Sequence, residues 1–350
     1  MSDTIQQQLL NVIHESALAN ASDIHLKSDR LSYIRNAENQ LCPIGPEQLP
    51  QYPKTDDLLA LLQTLSPRMY DRVSACQSSD ISDSVDGSAD IVFQDQKEKD
   101  FRMRLNAYYD YYGLSLAIRI LKNNVPSMSS LGLPIEIQQL KDKAEGLILF
   151  YGATGSGKTT AMYSFVDTIN HEGTKHIIML DDPTEIILKS DKSPISQIEV
   201  GLHCSSFASG LRSSLREDPN IIAVGELRDQ ETIATALKAA ETGHLVISSI
   251  HASSAEEVVD RVLQYFPADE HSQRRNELAN SFLAAVGCRL FERIGGGRVA
   301  AYETILRIPA ITAMLRDGDT KHIQDYMNAN NGMQSMAQAK AALQFHHLIK

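Results

Sequence analysis

Residues 147–170 set an apolar run (LILFY, 147–151), a glycine-rich loop and a helix-spaced run (159–170) in immediate succession. Few backbones satisfy that order. The loop, Gly152-Ala153-Thr154-Gly155-Ser156-Gly157-Lys158-Thr159-Thr160, fits G-x-x-x-x-G-K-[ST] and lies where that pattern has physical meaning, after a strand and before a helix. Glycines let the backbone turn its N–H groups inward, and the helix N-terminus adds a partial positive charge. Lys158 reaches for terminal phosphates and Thr159 offers a hydroxyl to Mg²⁺. Gly152, Thr154, Gly155, Ser156, Gly157, Lys158, Thr159 and Thr160 are therefore the candidate contacts to a nucleotide triphosphate.

Around this loop, further β-type runs at 177–180, 221–224 and 245–250 alternate with helix-spaced stretches such as 234–241. That alternation predicts a parallel α/β sheet. Upstream, 5–19 has helical spacing, 22–27 and 31–35 alternate like short strands, and 101–121 reads as a hairpin turning through 110–113. A smaller α+β unit follows from that pattern. The stretch 123–134 (NNVPSMSSLGLP) is crowded with turn formers and reads as a linker. The expected organisation is an N-terminal domain at 1–122, the linker at 123–134, an α/β core at 135–270 and a helical C-terminal region at 271–350.

Two acidic sites follow the phosphate loop in chain order. DDPTE (181–185) begins where a strand ends, so its carboxylates, Asp182 and Glu185 among them, can hold Mg²⁺ through water or orient an attacking water. Taken alone, the same five residues also suit an ordinary Asx or proline turn. The run 221–226 (IIAVGE) is an apolar strand ending in Glu226, positioned as a general base for a water in line with a terminal phosphate. His244 and His251 flank 245–250, and their separation of seven on a strand puts them on opposite faces, so they do not share a metal. Each either senses a phosphate or fills a structural role. Arg102, Arg104 and Arg119 are either solvated charges or donors to a phosphoryl group in flight, which a planar guanidinium suits.

Composition excludes several classes. With 33 basic and 44 acidic residues the net charge is −11, the wrong sign for a general nucleic-acid binder. No apolar run approaches the ~20 residues of a membrane span, and the first ten residues lack the pattern of a signal peptide, which predicts a cytoplasmic protein. Cys42, Cys76, Cys204 and Cys288 form no C-x-x-C pair and are expected as isolated, mostly buried thiols. The run 80–90 (DISDSVDGSAD) lacks calcium-loop spacing and is read as a solvated loop.

The order GATGSGKTT, DDPTE, LRSSLREDPNIIAVGELRDQETI (211–233) and TGHLVISSIHASSA (242–255) resembles the secretion ATPase superfamily, with its Walker A, Asp box, Walker B and His box. ASDIHL (21–26) and the 101–121 hairpin are similar to that family's PAS-like N-terminal domain. The segments 309–323 and 332–339 look most like the PilT-like type IV pilus retraction branch. The resemblance implies a RecA-like P-loop ATPase domain beside a smaller PAS-like domain, with ATP and Mg²⁺ as cofactors. It implies that Lys158 and Thr159 bind phosphate and Mg²⁺, that Glu185 and Glu226 serve hydrolysis, and that His251 lies near the γ-phosphate. It further implies that Arg102, Arg104 and Arg119 reach nucleotide at subunit boundaries of a homo-hexamer. The implied partner is an inner-membrane pilus platform protein, met at the cytoplasmic face of that membrane. One stretch departs from the retraction branch: its A-I-R-N-L-[IL]-R-E-G-K reads here with Thr312, Ala313 and Asp319 at the Arg, Asn and Lys positions. An ATPase of a type IVB secretion, conjugation or thin-pilus system is the alternative.

Overall fold

The structure, a computed structural model, describes residues 4–76, 85–92, 100–121, 125–329 and 332–350. The chain forms two compact units. One runs to Asn124 and includes Glu185–Ile187; the other comprises Val125–Thr184 and Leu188–Lys350.

In the first unit, α1 (Ile5–Leu18) leads into β1 (Asp23–Lys27), β2 (Tyr33–Arg35) and β3 (Leu41–Pro43). Helices α2 (Thr55–Leu65) and α3 (Pro67–Cys76) follow, then β4 (Val85–Val92), β5 (Asp100–Asp110) and β6 (Gly113–Leu121). The sheet order is β3-β2-β1-β6-β5-β4, with every neighbouring pair antiparallel. Alternation decides the faces. Ile24, Leu26, Met103, Leu105, Leu116 and Ile118 turn inward against Leu9, Ile13, Leu58 and Leu62 of the helices. The 101–121 hairpin is present, while 85–90 is part of β4 and not loop. Its polar sequence is drawn into the sheet because β5 supplies a full ladder, Val85↔Ala107 through Val92↔Asp100. Asp80 and Asp83 lie outside the described residues.

The second unit opens with α4 (Met128–Leu131) and α5 (Ile135–Gln138). Its core alternates β7 (Gly146–Tyr151), α6 (Lys158–Glu172), β8 (Ile177–Asp181), β9 (Ile195–Glu199), α7 (Phe207–Ser214), β10 (Ile221–Val224), α8 (Gln230–Glu241) and β11 (Leu245–Ile250). Then come α9 (Ala255–Leu263), α10 (His271–Ser281), β12 (Phe282–Glu292), β13 (Arg298–Leu306), α11 (Pro309–Asp317), α12 (Ile323–Asn328) and α13 (Met336–Phe345). The sheet order is β13-β12-β7-β11-β10-β8-β9. All pairs are parallel except β12 with β13.

Strands β7, β10 and β11 are buried at every residue, which is why they read as continuous apolar runs. The helical expectation for 271–350 is corrected over 282–306, where β12 and β13 extend the sheet past β7. The first seven residues of β12 are buried, so it carries no polar alternation to mark it as a strand. Leu149 sits in the central cluster with Leu180, Val224 and Val246, fully buried. Leu149→Ala should lower stability by about 3 kcal/mol, read as a shift in the urea unfolding midpoint of this unit.

Candidate phosphate and water-activation site

Strand β7 ends at Tyr151, and the loop to α6 turns on three glycines with positive φ: Gly152 at 144°, Gly155 at 75° and Gly157 at 97°. Gly152 also allows a close approach, because a Cβ there would stand 2.6 Å from the Cys288 carbonyl oxygen and 2.6 Å from Ser156 Oγ. Lys158, the first residue of α6, is 6% exposed. Its Nζ donates to the carbonyls of Gly152 at 2.8 Å and Ala153 at 2.9 Å. Burial pulls the ammonium below its ordinary pKa, opposed by the carboxylate of Glu226. Ser156 Oγ is buried with no partner, which fits a hydroxyl waiting for a phosphate oxygen.

Because β7, β11, β10 and β8 are parallel neighbours, their carboxyl ends deliver the loops after Tyr151, Ile250, Val224 and Asp181 to one edge. The segment Gly225–Asp229 uses every residue. Gly225 tolerates an approach that would put a Cβ 2.9 Å from Asp181 Oδ1, and its N–H donates to the Leu180 carbonyl at 2.7 Å. Glu226 follows, with Oε1 3.4 Å from His251 Nε2. Leu227 is buried, and its N–H donates to the Ser249 carbonyl. Arg228 pairs with Asp182 and lies over the Phe207 ring. Asp229 caps α8 by accepting from the Thr232 N–H at 2.8 Å.

Lys158, Glu226 and His251 are thus gathered at one sheet edge, with Glu226 and His251 half-exposed, as groups meeting a substrate must be. Asp182 is also at this edge, held by Arg228. Its neighbour Asp181 is buried and accepts from the Tyr163 hydroxyl of α6 at 2.8 Å. His244 is not at this edge. It precedes β11, with Nδ1 3.1 Å from the Ala239 carbonyl, some ~23 Å of strand away from His251. Glu185 is exposed and belongs with the first unit.

Arg102, Arg104 and Arg119 share one face of the first unit's sheet, since Arg104 stands opposite Arg119 in the β5–β6 ladder. Arg102 is buried, whereas Arg119 is exposed and donates to Asp23 at 2.8 Å. Burial works to raise the Asp23 carboxyl, but hydrogen bonds from Arg119 and Ser22 and the arginine's charge outweigh it and hold the pKa below its ordinary value.

Several supporting residues gave no sign in the sequence. Ser249 donates to the Gly225 carbonyl at 2.6 Å and Ser248 to that of Val224 at 2.6 Å, clamping the turn that carries Glu226. Only the pairing of β10 with β11 reveals them. Among the described residues no three His, Cys, Asp or Glu side chains cluster to hold a metal. A divalent ion here would draw on Thr159, water and phosphate oxygens, the donor set Mg²⁺ prefers.

Cys42, Cys204 and Cys288 are free; Cys288 is buried, while the other two are half-buried. The side chain of Cys76 lies outside the described residues. Burial pushes the Cys288 thiol up to about 12, so it stays protonated when an ordinary thiol ionises. Iodoacetamide at pH 9 should leave Cys288 unlabelled until the protein is denatured, as read by peptide mass spectrometry.

A family model described as Type II/IV secretion system protein matches residues 2–295. The uncharacterized protein YggR of Escherichia coli is 44% identical over 222 residues, 63% of this chain and 68% of its own. The type IV pilus retraction ATPase PilT of Pseudomonas aeruginosa is 39% identical over 237 residues, 67% of this chain and 69% of its own. A crystal structure of the pilus retraction motor PilT with bound ADP superposes with a TM-score of 0.85 at 34% identity, covering 98% of this chain and 94% of that one. With the RecA-like P-loop fold and its site in place, the chain belongs to the type II/IV secretion system protein family.

Proposed function

We propose that this protein is an ATP-hydrolysing motor that assembles as a homo-hexamer and drives retraction of type IV pili. The observation that carries the reading is the meeting of a buried phosphate-loop lysine with a carboxylate–imidazole pair, Glu226 with His251, at one sheet edge. Likeness to PilT along nearly the whole chain supports the choice of client.

In this reading the loop amides and Lys158 bind the β- and γ-phosphates. The Thr159 hydroxyl, and Asp182 through water, would hold Mg²⁺, which would supply positive charge to offset that of the phosphates. Glu226 accepts the proton of the attacking water, and His251 fixes its carboxylate and meets the terminal phosphate. Glu185 takes a supporting role in orienting that water. Arg102, Arg104 and Arg119 act on the nucleotide of a neighbouring subunit, where a planar guanidinium stabilises charge on the transferring phosphoryl group. We assign 1–122 as the PAS-like domain, 123–134 as the linker and 135–270 as the ATPase core. His244 is left a structural role at the amino end of β11.

The motor works at the cytoplasmic face of the inner membrane on a pilus platform protein. No helix among the described residues is long and apolar enough to cross a membrane. The second reading, a secretion or conjugation ATPase, is favoured by one feature: α11 carries Thr312, Ala313 and, just past its end, Asp319 where the retraction branch has a basic-polar set.

Glu226→Gln should retain ATP binding and lose hydrolysis by at least ~100-fold, measured by phosphate release; unchanged turnover would remove Glu226 as the base. Arg104→Ala should cut hydrolysis by about 10³-fold, the scale of an arginine finger, with the thermal melt unchanged. In the host, deletion and Glu226→Gln should both leave surplus, immobile surface pili by electron microscopy. Bald cells would indicate an assembly motor, and normal pili with lost secretion or conjugation would favour the second reading.

A further inference from the structure

Tyr151 is the last residue before the phosphate loop, yet its hydroxyl looks away from that loop. Three strands line up across the sheet at this point, Tyr151 on β7, Gly287 on β12 and Glu303 on β13. Gly287 leaves the middle of the row empty: a Cβ there would lie 2.7 Å from Tyr151 Cζ. The tyrosine ring therefore lies across β12, and its hydroxyl donates to Glu303 Oε1.

The other carboxylate oxygen of Glu303 is also used. Oε2 accepts from the N–H of Met336, the first residue of α13, at 2.9 Å. A carboxylate at a helix N-terminus answers both the unpaired amide and the partial positive charge there. The approach to α13 is fastened beside it, where Gln334 exchanges backbone hydrogen bonds with Thr304 and donates to Thr304 Oγ1 at 3.0 Å. Tyr151 is 2% and Glu303 6% exposed, and each oxygen of the carboxylate has a donor. Burial first, and Glu303 next, hold the phenol well above its ordinary pKa, so the tyrosine remains the donor.

We propose that Tyr151 and Glu303 are positioning residues that couple occupancy of the phosphate loop to docking of the C-terminal helix α13. The inference rests on the nucleotide-binding reading of the loop and is independent of the motor's client. A phosphate competes with the Gly152 and Ala153 carbonyls for the Lys158 ammonium. Toward β12 even a Cβ on Gly152 would meet the Cys288 carbonyl at 2.6 Å, so this side of the loop is closely packed. Adjustment of its peptide passes back to Tyr151, whose ring ends on the carboxylate that holds α13. Coupling of this kind is reciprocal, so a docked α13 strengthens nucleotide binding as nucleotide strengthens docking.

The test is hydrogen exchange at the Met336 amide of the whole chain, with and without saturating ADP, beside ADP titration of wild type, Tyr151→Phe and Glu303→Gln. Saturating ADP should slow Met336 exchange in wild type about fivefold or more. Tyr151→Phe keeps the buried ring but loses the donor; it should bind ADP about tenfold more weakly, and its Met336 amide should no longer respond to ADP. Met336 exchange that ignores ADP in a wild type that binds it overturns the coupling, as does wild-type ADP affinity in Tyr151→Phe. A wild type that binds no ADP overturns the nucleotide reading as well. If Tyr151→Phe fails to fold by circular dichroism, Glu303→Gln is read against the same two outcomes, and the wild-type exchange requires no variant.

Discussion

A buried ammonium must be given acceptors, and much of the second unit is arranged around meeting that need for Lys158. Two carbonyls of its own loop take the hydrogen bonds, and a carboxylate on the adjoining edge supplies opposite charge. The loop can fold back on its lysine only because Gly152, Gly155 and Gly157 accept positive φ. The same arrangement equips the site for phosphate, since an anion satisfies the ammonium better than neutral carbonyls do. Structure and binding thus draw on one interaction.

The parallel sheet is what lets separate stretches of chain contribute. Loops that follow β7, β8, β10 and β11 emerge on a common edge, so residues about 70 to 100 positions apart meet. This geometry also explains which expectations from the sequence were legible. The buried strands at 146–151, 221–224 and 245–250 were visible as apolar runs, and the phosphate loop and Glu226 as residues that close them. Asp181 and Asp182 look equivalent in sequence. Only the fold separates them, turning the first inward to Tyr163 and leaving the second to Arg228.

What escaped the sequence was mostly interaction across strands. Ser249 becomes a clamp on Gly225 because β11 lies beside β10, and nothing local in TGHLVISSIH marks that. Strand β12 is buried from Phe282 to Cys288 and shows neither period, so its run of alanines and apolar residues reads as helix. Strand β4 was obscured by its aspartates, whose loop preference yields to eight paired positions on β5. His244 and His251 stand at opposite ends of β11. Their spacing places both beside β11, but spacing carries no information about which end of a strand meets the phosphate loop.

The two units handle charge differently. In the second unit, carboxylates near the loop are either buried and hydrogen-bonded or held to a neighbour, as with Asp181 and Glu303. In the first, Arg104, Arg119 and Asp23 form a row across three strands, with Arg119 largely exposed. Like charges set opposite each other repel, and the Asp23 carboxylate beside Arg119 offsets part of that repulsion. An exposed ion pair such as Arg119 with Asp23 is worth ~1 kcal/mol or less, so it opens readily. Such a face is suited to exchanging partners, whereas the buried network around the loop is suited to keeping them.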